Sequence, residues 1–321
     1  MPHDLTRRRW MLASACAAAG AGCSRRPLPG REPRVSVRKA SYGSGLLETV
    51  REVLEEHKVP LKDRHVVLKP NLVEYDESTA VNTSPQLVLA ALEACRGLGA
   101  ASVRIAEGPG HRRPAWDLAE AAGYFGAIGG FEDLFVDLNL DEISNVTLAK
   151  SAPGVSSLYL PHTILRCDLV ISLPKMKTHH WVGATLGMKN LFGIVPGQVY
   201  GWPKNILHWA GIHESILAVN SAVPAMFTLV DGIEGMEGNG PIQGRRKHAG
   251  VIVAGADRVA VDATACRVMG IDPGRIRYLR MAETAGQTEE GNVRQIGEEP
   301  RAVRTDFELI PEFRRLRLSP A

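Results

Sequence analysis

The sequence predicts an α/β fold, a largely parallel sheet with helices on both faces and a ligand site at the carboxyl ends of its strands. Three observations predict it. Short apolar runs at 66–68, 168–173, 226–230 and 251–254 lack polar alternation, as expected of strands buried on both faces. Stretches with helical periodicity recur between the strands, the rhythm of a chain built from βαβ units. Polar residues then follow the runs directly, as Lys69-Pro70-Asn71, the lysine- and histidine-rich 174–180 and Asp231. Open α/β sheets bind ligands at such ends.

In chain order, 35–40 reads as a first strand, 46–57 as a helix and 66–68 as a buried strand. Ser84-Pro85 starts the next helix, with serine as cap and proline at the first helical position. Leu87, Leu89, Ala90, Ala91 and Leu92 supply its apolar face up to Gly97 and Gly99, and a strand at 103–106 closes a βαβ unit. A helix at 115–122 and strands at 134–138, 158–160 and 168–173 follow, the last stopped by Pro174. A helix at 206–219, strands at 226–230 and 251–254, and a helix at 259–269 ending at Gly270 complete the pattern.

The chain of 321 residues divides into a signal peptide (1–22), a tether (23–33), an α/β domain (34–288) and a charged, aperiodic, surface-packed tail (289–321). Thr6-Arg7-Arg8-Arg9-Trp10-Met11-Leu12 followed by an alanine-rich run to Gly22 is a twin-arginine pattern, too short to span a membrane stably. Ala19-Gly20-Ala21 suits a soluble-export peptidase, whereas Gly20-Ala21-Gly22-Cys23 resembles a lipobox that would place a lipid on Cys23. The expected location is therefore the periplasm or the cell envelope, with the twin-arginine export machinery as partner and the membrane reached only through that lipid. The formal charge of +3 gathers largely in the arginines of the leader, so no nucleic-acid surface is implied. Cys95, Cys167 and Cys266 stand far apart among apolar neighbours, so no iron-sulfur cluster is expected. They read as buried thiols, with a single disulfide between some pair left open.

The densest chemistry lies in 174–193, PKMKTHHWVGATLGMKNLFG. If the strand ends converge, Lys69, Lys175, Lys177 and Lys189 meet in one cleft, where four ammonium groups need an anion to balance them. Asn71 and Asn190 would orient that anion, and His179 or a deprotonated lysine such as Lys177 would move protons. His179 and His180 are adjacent, so on an extended segment at most one of them faces the site. His208 and His213 read as surface or packing residues. Asp231, Glu234 and Glu237, interleaved with glycines in 231–241, either hold a divalent cation such as magnesium or calcium or form a mobile lid, and Asp262 either joins them as a ligand or complements the dipole in the first turn of its helix. No GxGxxG, Walker, GxSxG or HExxH motif occurs, which removes support for classical nucleotide hydrolysis, α/β-hydrolase and zincin chemistry.

These segments, with Thr185-Leu186-Gly187-Met188-Lys189-Asn190 and Gly255-Ala256-Asp257-Arg258-Val259-Ala260-Val261-Asp262-Ala263, resemble the family called domain of unknown function 362 over about residues 66–273. Many members of that family carry an added ferredoxin-like module, and this chain lacks its clustered cysteines. The leading expectation is an exported enzyme acting on a small phosphate- or carboxylate-bearing substrate or cofactor. Its rivals are a non-catalytic anchored anion-binding protein and a redox accessory protein.

Overall fold

The computed structural model describes residues 33–152, 155–223, 225–284 and 286–319. The expected signal peptide, Cys23 and nearly all of the tether lie outside the described residues. The strands are β1 (Arg34–Lys39), β2 (His65–Pro70), β3 (Ser102–Glu107), β4 (Phe135–Asp137), β5 (Ile143–Ala152), β6 (Val155–Pro161), β7 (Leu169–Leu173), β8 (Lys175–His179), β9 (Gly183–Thr185), β10 (Met226–Asn239), β11 (Gln243–Gly255) and β12 (Arg294–Gly297). The helices used below are α1 (Leu46–Glu56), α2 (Pro85–Gly97), α3 (Ala115–Ala121), α4 (Gly187–Asn190), α5 (Asn205–Trp209), α6 (Ile212–Ala222) and α7 (Arg258–Val268).

Ten strands form one sheet, with the order β12-β1-β11-β10-β7-β2-β3-β4 and β8 and β9 attached beside β10. From β10 to β4 every neighbouring pair is parallel. Along the main path only β11 runs against its neighbours. β5 and β6 make a separate hairpin. The apolar runs are continuous because both faces of the sheet are covered. Val67, Val170, Val230 and Val253 enter a core with Ile216 and Val219 of α6 and Val261 and Ala265 of α7. Their neighbours Leu68, Ile171, Leu229 and Ile252 enter a second core with Val50 and Val53 of α1 and Leu87 and Ala91 of α2. Helices thus cover both faces, and α2 begins at Pro85 with Ser84 capping the Gln86 amide.

Two expected elements differ. The helix over 206–219 is broken into α5 and α6 at Gly211, whose φ of 107° lies where side chains are disfavoured. Residues 231–239 form the outer half of β10 instead of a loop, and they pair with β11 through Glu234↔His248 and Glu237↔Arg245. Their glycines serve close packing: a Cβ on Gly235 would stand 2.7 Å from the Met176 carbonyl oxygen and 2.9 Å from the Phe307 ring. Residues 289–321 supply β12, parallel to β1, and bury Phe307, Leu309 and Leu316 in the first core. Cys95, Cys167 and Cys266 are free thiols.

Candidate functional site

β2 and β3 lie side by side in register, so Lys69 and Glu107 emerge together at their carboxyl ends. Lys69 Nζ stands 2.5 Å from Glu107 Oε2, and both side chains are fully buried. The same ammonium donates to Pro70 O at 2.7 Å and Asn190 Oδ1 at 3.2 Å, which fills its three donor positions. Glu107 also accepts from the amides of Leu72 and Gly108 at 3.1 and 2.9 Å. Asn190 returns its amide to Lys69 O and Ser172 Oγ at 3.2 and 3.0 Å. Gly193 closes the pair from above, where a Cβ would come within 2.5 Å of Lys69 Nζ.

β8 carries the next cations. Lys177 Nζ donates to Asn71 Oδ1 at 2.7 Å, Val81 O at 2.9 Å and Pro241 O at 3.2 Å. Among the described residues no carboxylate pairs with it. Burial, reinforced by the ammonium groups of Lys175 and Lys189, holds its pKa well below the usual lysine value. Lys175 is engaged differently, 2.7 Å from Asp231 Oδ2 and 3.1 Å from the Tyr42 hydroxyl. It lines a second, smaller cavity of about 200 Å³.

Lys69, Asn71, Lys177, His179, Lys189 and Asn190 all line one cavity of about 600 Å³. Of the expected binding and catalytic set, only Lys175 stands elsewhere. His180 also lines the cavity, contrary to the expected alternation, because β8 ends at His179 and the chain turns there. His208 joins them, since the break at Gly211 seats α5 against Phe192 and Trp181. Glu107, Thr185 and Lys204 were not anticipated. Glu107 and Lys204 have no local sequence signature beyond nearby prolines and glycines, whereas Thr185 opens the already conspicuous 185–190 segment.

The lysines differ in how their protons are used. Lys204 Nζ donates to Gly108 O at 2.7 Å and Phe192 O at 2.9 Å, leaving one donor position open. Burial lowers its pKa to about 7. Lys189 Nζ sits 3.7 Å from the centroid of the Phe192 ring and makes no hydrogen bond or ion pair among the described residues. Burial first and the Lys69 ammonium second lower it to about 7 as well. The Lys189 charge in turn depresses Lys177, His179, Lys204 and His208, each after the larger effect of burial.

Two neutral histidines present opposite functions. His179 Nδ1 accepts the Trp181 amide at 3.0 Å, so the proton of the neutral ring sits on Nε2. Its pKa lies well below the ordinary value, through burial and then Lys189. His208 Nδ1 stands 3.0 Å from the Lys204 carbonyl, which can only accept, so its Nε2 carries a lone pair. Burial and then Lys189 lower its pKa to about 4. Thr185 Oγ1 is buried at the wall without a hydrogen-bond partner.

The four expected metal ligands do not converge. Asp231 holds Lys175, Glu234 meets His248 Nδ1 at 2.7 Å, and Glu237 accepts Lys247 at 3.3 Å and the Glu308 amide at 2.9 Å. Asp262 accepts the amides of Gly187 and Met188 at 2.8 and 3.1 Å. Among the described residues no group of three or more His, Cys, Asp or Glu side chains is placed to hold a metal ion. The divalent cation expected at these four acids therefore lacks a site built from them.

Residues 66–267 match the model of a domain of unknown function, DUF362. The chain belongs to the DUF362 family. That region contains every residue lining the larger cavity. A thylakoid-associated protein of Synechocystis sp. is 29% identical to this chain over 262 residues, 78% of each chain. Among solved structures, a lactate racemase apoprotein from Thermoanaerobacterium thermosaccharolyticum aligns with a TM-score of 0.46 and 14% identity. The alignment spans 74% of this chain and 57% of that one. A Thermotoga maritima protein aligns with a TM-score of 0.43 and 14% identity, over 70% of this chain and 57% of its own length.

Proposed function

We propose that this DUF362 protein is an enzyme that takes a small phosphate- or carboxylate-bearing molecule into the lysine-lined cavity. The observation that carries this reading is a charge imbalance. Four lysines line the cavity against two carboxylates, of which Glu107 pairs directly with Lys69 and Glu74 with Arg113, so no direct carboxylate partner reaches Lys177, Lys189 or Lys204 among the described residues. Buried cations without counter-ions are costly, and an entering anion supplies the missing charge. Donor accounting sorts the roles. Lys69 and Lys177 have all three donor positions filled by protein oxygens, so they contribute field and hold the walls in place. Lys204, Lys189 and the free amide nitrogen of Asn71 are the groups that touch the anion. His179 Nε2–H and the His208 Nε2 lone pair then offer a donor and an acceptor for moving a proton.

The test is thermal stabilisation by sulfate, phosphate and small carboxylates, compared between wild type and Lys204→Met. Stabilisation by at least one anion, weakened in the variant, is the expected result. Equal stabilisation of both proteins, or none of either, contradicts the reading. We further propose that the twin-arginine pattern directs export of the folded, loaded protein. Replacing Arg7, Arg8 and Arg9 by lysine would then retain it in the cytoplasm, and unchanged export on cell fractionation would contradict this.

A further inference from the structure

Among the described residues Lys189 is the one cavity lysine whose amine is left chemically free. Its Nζ lies over the face of Phe192 with no acceptor among the described residues, while Lys69, Lys177 and Lys204 are each tied to two or three oxygens. Lys204 itself is 1% exposed, whereas Lys189 is only partly buried at the cavity wall. His208 flanks the same Phe192 ring, with 5.5 Å between ring centroids, and turns an unprotonated nitrogen away from its anchor on the Lys204 carbonyl. A second free polar group, the Thr185 hydroxyl, lines the same cavity, 5% exposed and unpartnered among the described residues.

We propose that Lys189 condenses with the carbonyl group of an anionic aldehyde or ketone, a 2-oxo acid being the simplest, to form an imine. This rests on the reading of the cavity as an anion site. The acid group sits on the open donor position of Lys204, which brings the adjoining carbonyl carbon to the amine. The Lys189 lone pair attacks that carbon, and the carbonyl π pair moves onto oxygen. His208 Nε2 takes a proton from the attacking nitrogen and returns it to that oxygen, giving a carbinolamine. The hydroxyl then leaves as water with the second nitrogen proton, and the carbon–nitrogen double bond forms. Both nitrogen protons and the carbonyl oxygen depart as one water, with no change of oxidation state. The Thr185 hydroxyl, unpartnered in the same cavity, hydrogen-bonds the oxygen as it leaves. Burial and the Lys69 charge favour the free amine, giving Lys189 at neutral pH a reactive fraction about a thousandfold above that of a solvent lysine.

The experiment is borohydride trapping with pyruvate on the full chain, read by peptide mass spectrometry, beside thermal shift with sulfate. The expected result is a reduced adduct at Lys189 at least about tenfold above any other lysine, suppressed by sulfate and absent in Lys189→Arg. Because the wild-type adduct is mapped directly, the result does not depend on that variant folding. Sulfate stabilisation with no adduct, or with adduct spread over surface lysines or centred on Lys204, overturns the imine and leaves the anion site standing. Absence of both stabilisation and adduct overturns the anion site and the imine with it.

Discussion

At the scale of single residues, the Lys69–Glu107 pair sets the geometry of the cavity floor. Removing one partner of a buried ion pair leaves the other charged and unanswered, so Glu107→Ala should cost about 3–5 kcal/mol in chemical denaturation. Gly193 needs its missing side chain for the same pair, since a Cβ there would press on both Lys69 and Glu107. Overpacking of this kind costs about 1–3 kcal/mol, so Gly193→Ala should lower the denaturation midpoint with little change in its slope. Lys69 and Asn71 were legible in the sequence because they follow a buried strand directly. Glu107 was not, because its partner lies 38 residues away and only the parallel pairing of β2 and β3 joins them. Lys204 was hidden for a similar reason: its role depends on two backbone carbonyls, which leave no trace in a side-chain pattern.

At the scale of elements, α4 is one turn that delivers Lys189 and Asn190 to the wall, and it is tied down from α7. Asp262 accepts the two amides that begin α4, so a residue read from sequence as a metal ligand positions the candidate amine. Asp262→Ala should cost about 1–3 kcal/mol by orphaning those buried amides. It should also weaken sulfate binding although it touches no ligand, whereas Asp262→Asn, which keeps one acceptor oxygen, should recover part of the affinity. Equal affinity in Asp262→Ala and wild type would remove this positioning role. The strand pattern was readable wherever apolar runs were continuous, as in β2, β7 and the inner half of β10. Glycines and acids dominate the outer half of β10, a composition that reads as a loop. Its extended form comes from the Lys247–Glu237 ion pair and the His248–Glu234 hydrogen bond across to β11, and from close packing on Met176 and Phe307, which no local propensity encodes.

At the scale of the whole molecule, the parallel sheet gathers the ends of β2, β3 and β8 around one cavity, and the charge there links stability to pH. Lys189 and Lys204 are lowered to about 7 when folded and return to about 10.4 when unfolded, so between these values the unfolded chain binds more protons. The ligand-free protein should therefore gain stability as pH rises from about 7 towards 10. Thermal unfolding across that range should show the rise, with a shallower slope in Lys189→Met, where only Lys204 of the two still contributes. Anion binding has the opposite sign, because it selects the protonated amines. Affinity should be greatest below pH 7 and fall above it, by about tenfold per pH unit for each proton taken up.

The most direct measurement is calorimetric titration of sulfate, an anion that does not itself titrate here, in buffers of different ionisation heat near pH 7.5. The charge imbalance of the cavity predicts binding coupled to proton uptake from the buffer, with both signals lost when Lys189 and Lys204 are replaced by methionine in a variant that still folds. Sulfate binding without proton uptake, or uptake that survives the double substitution, would contradict the account.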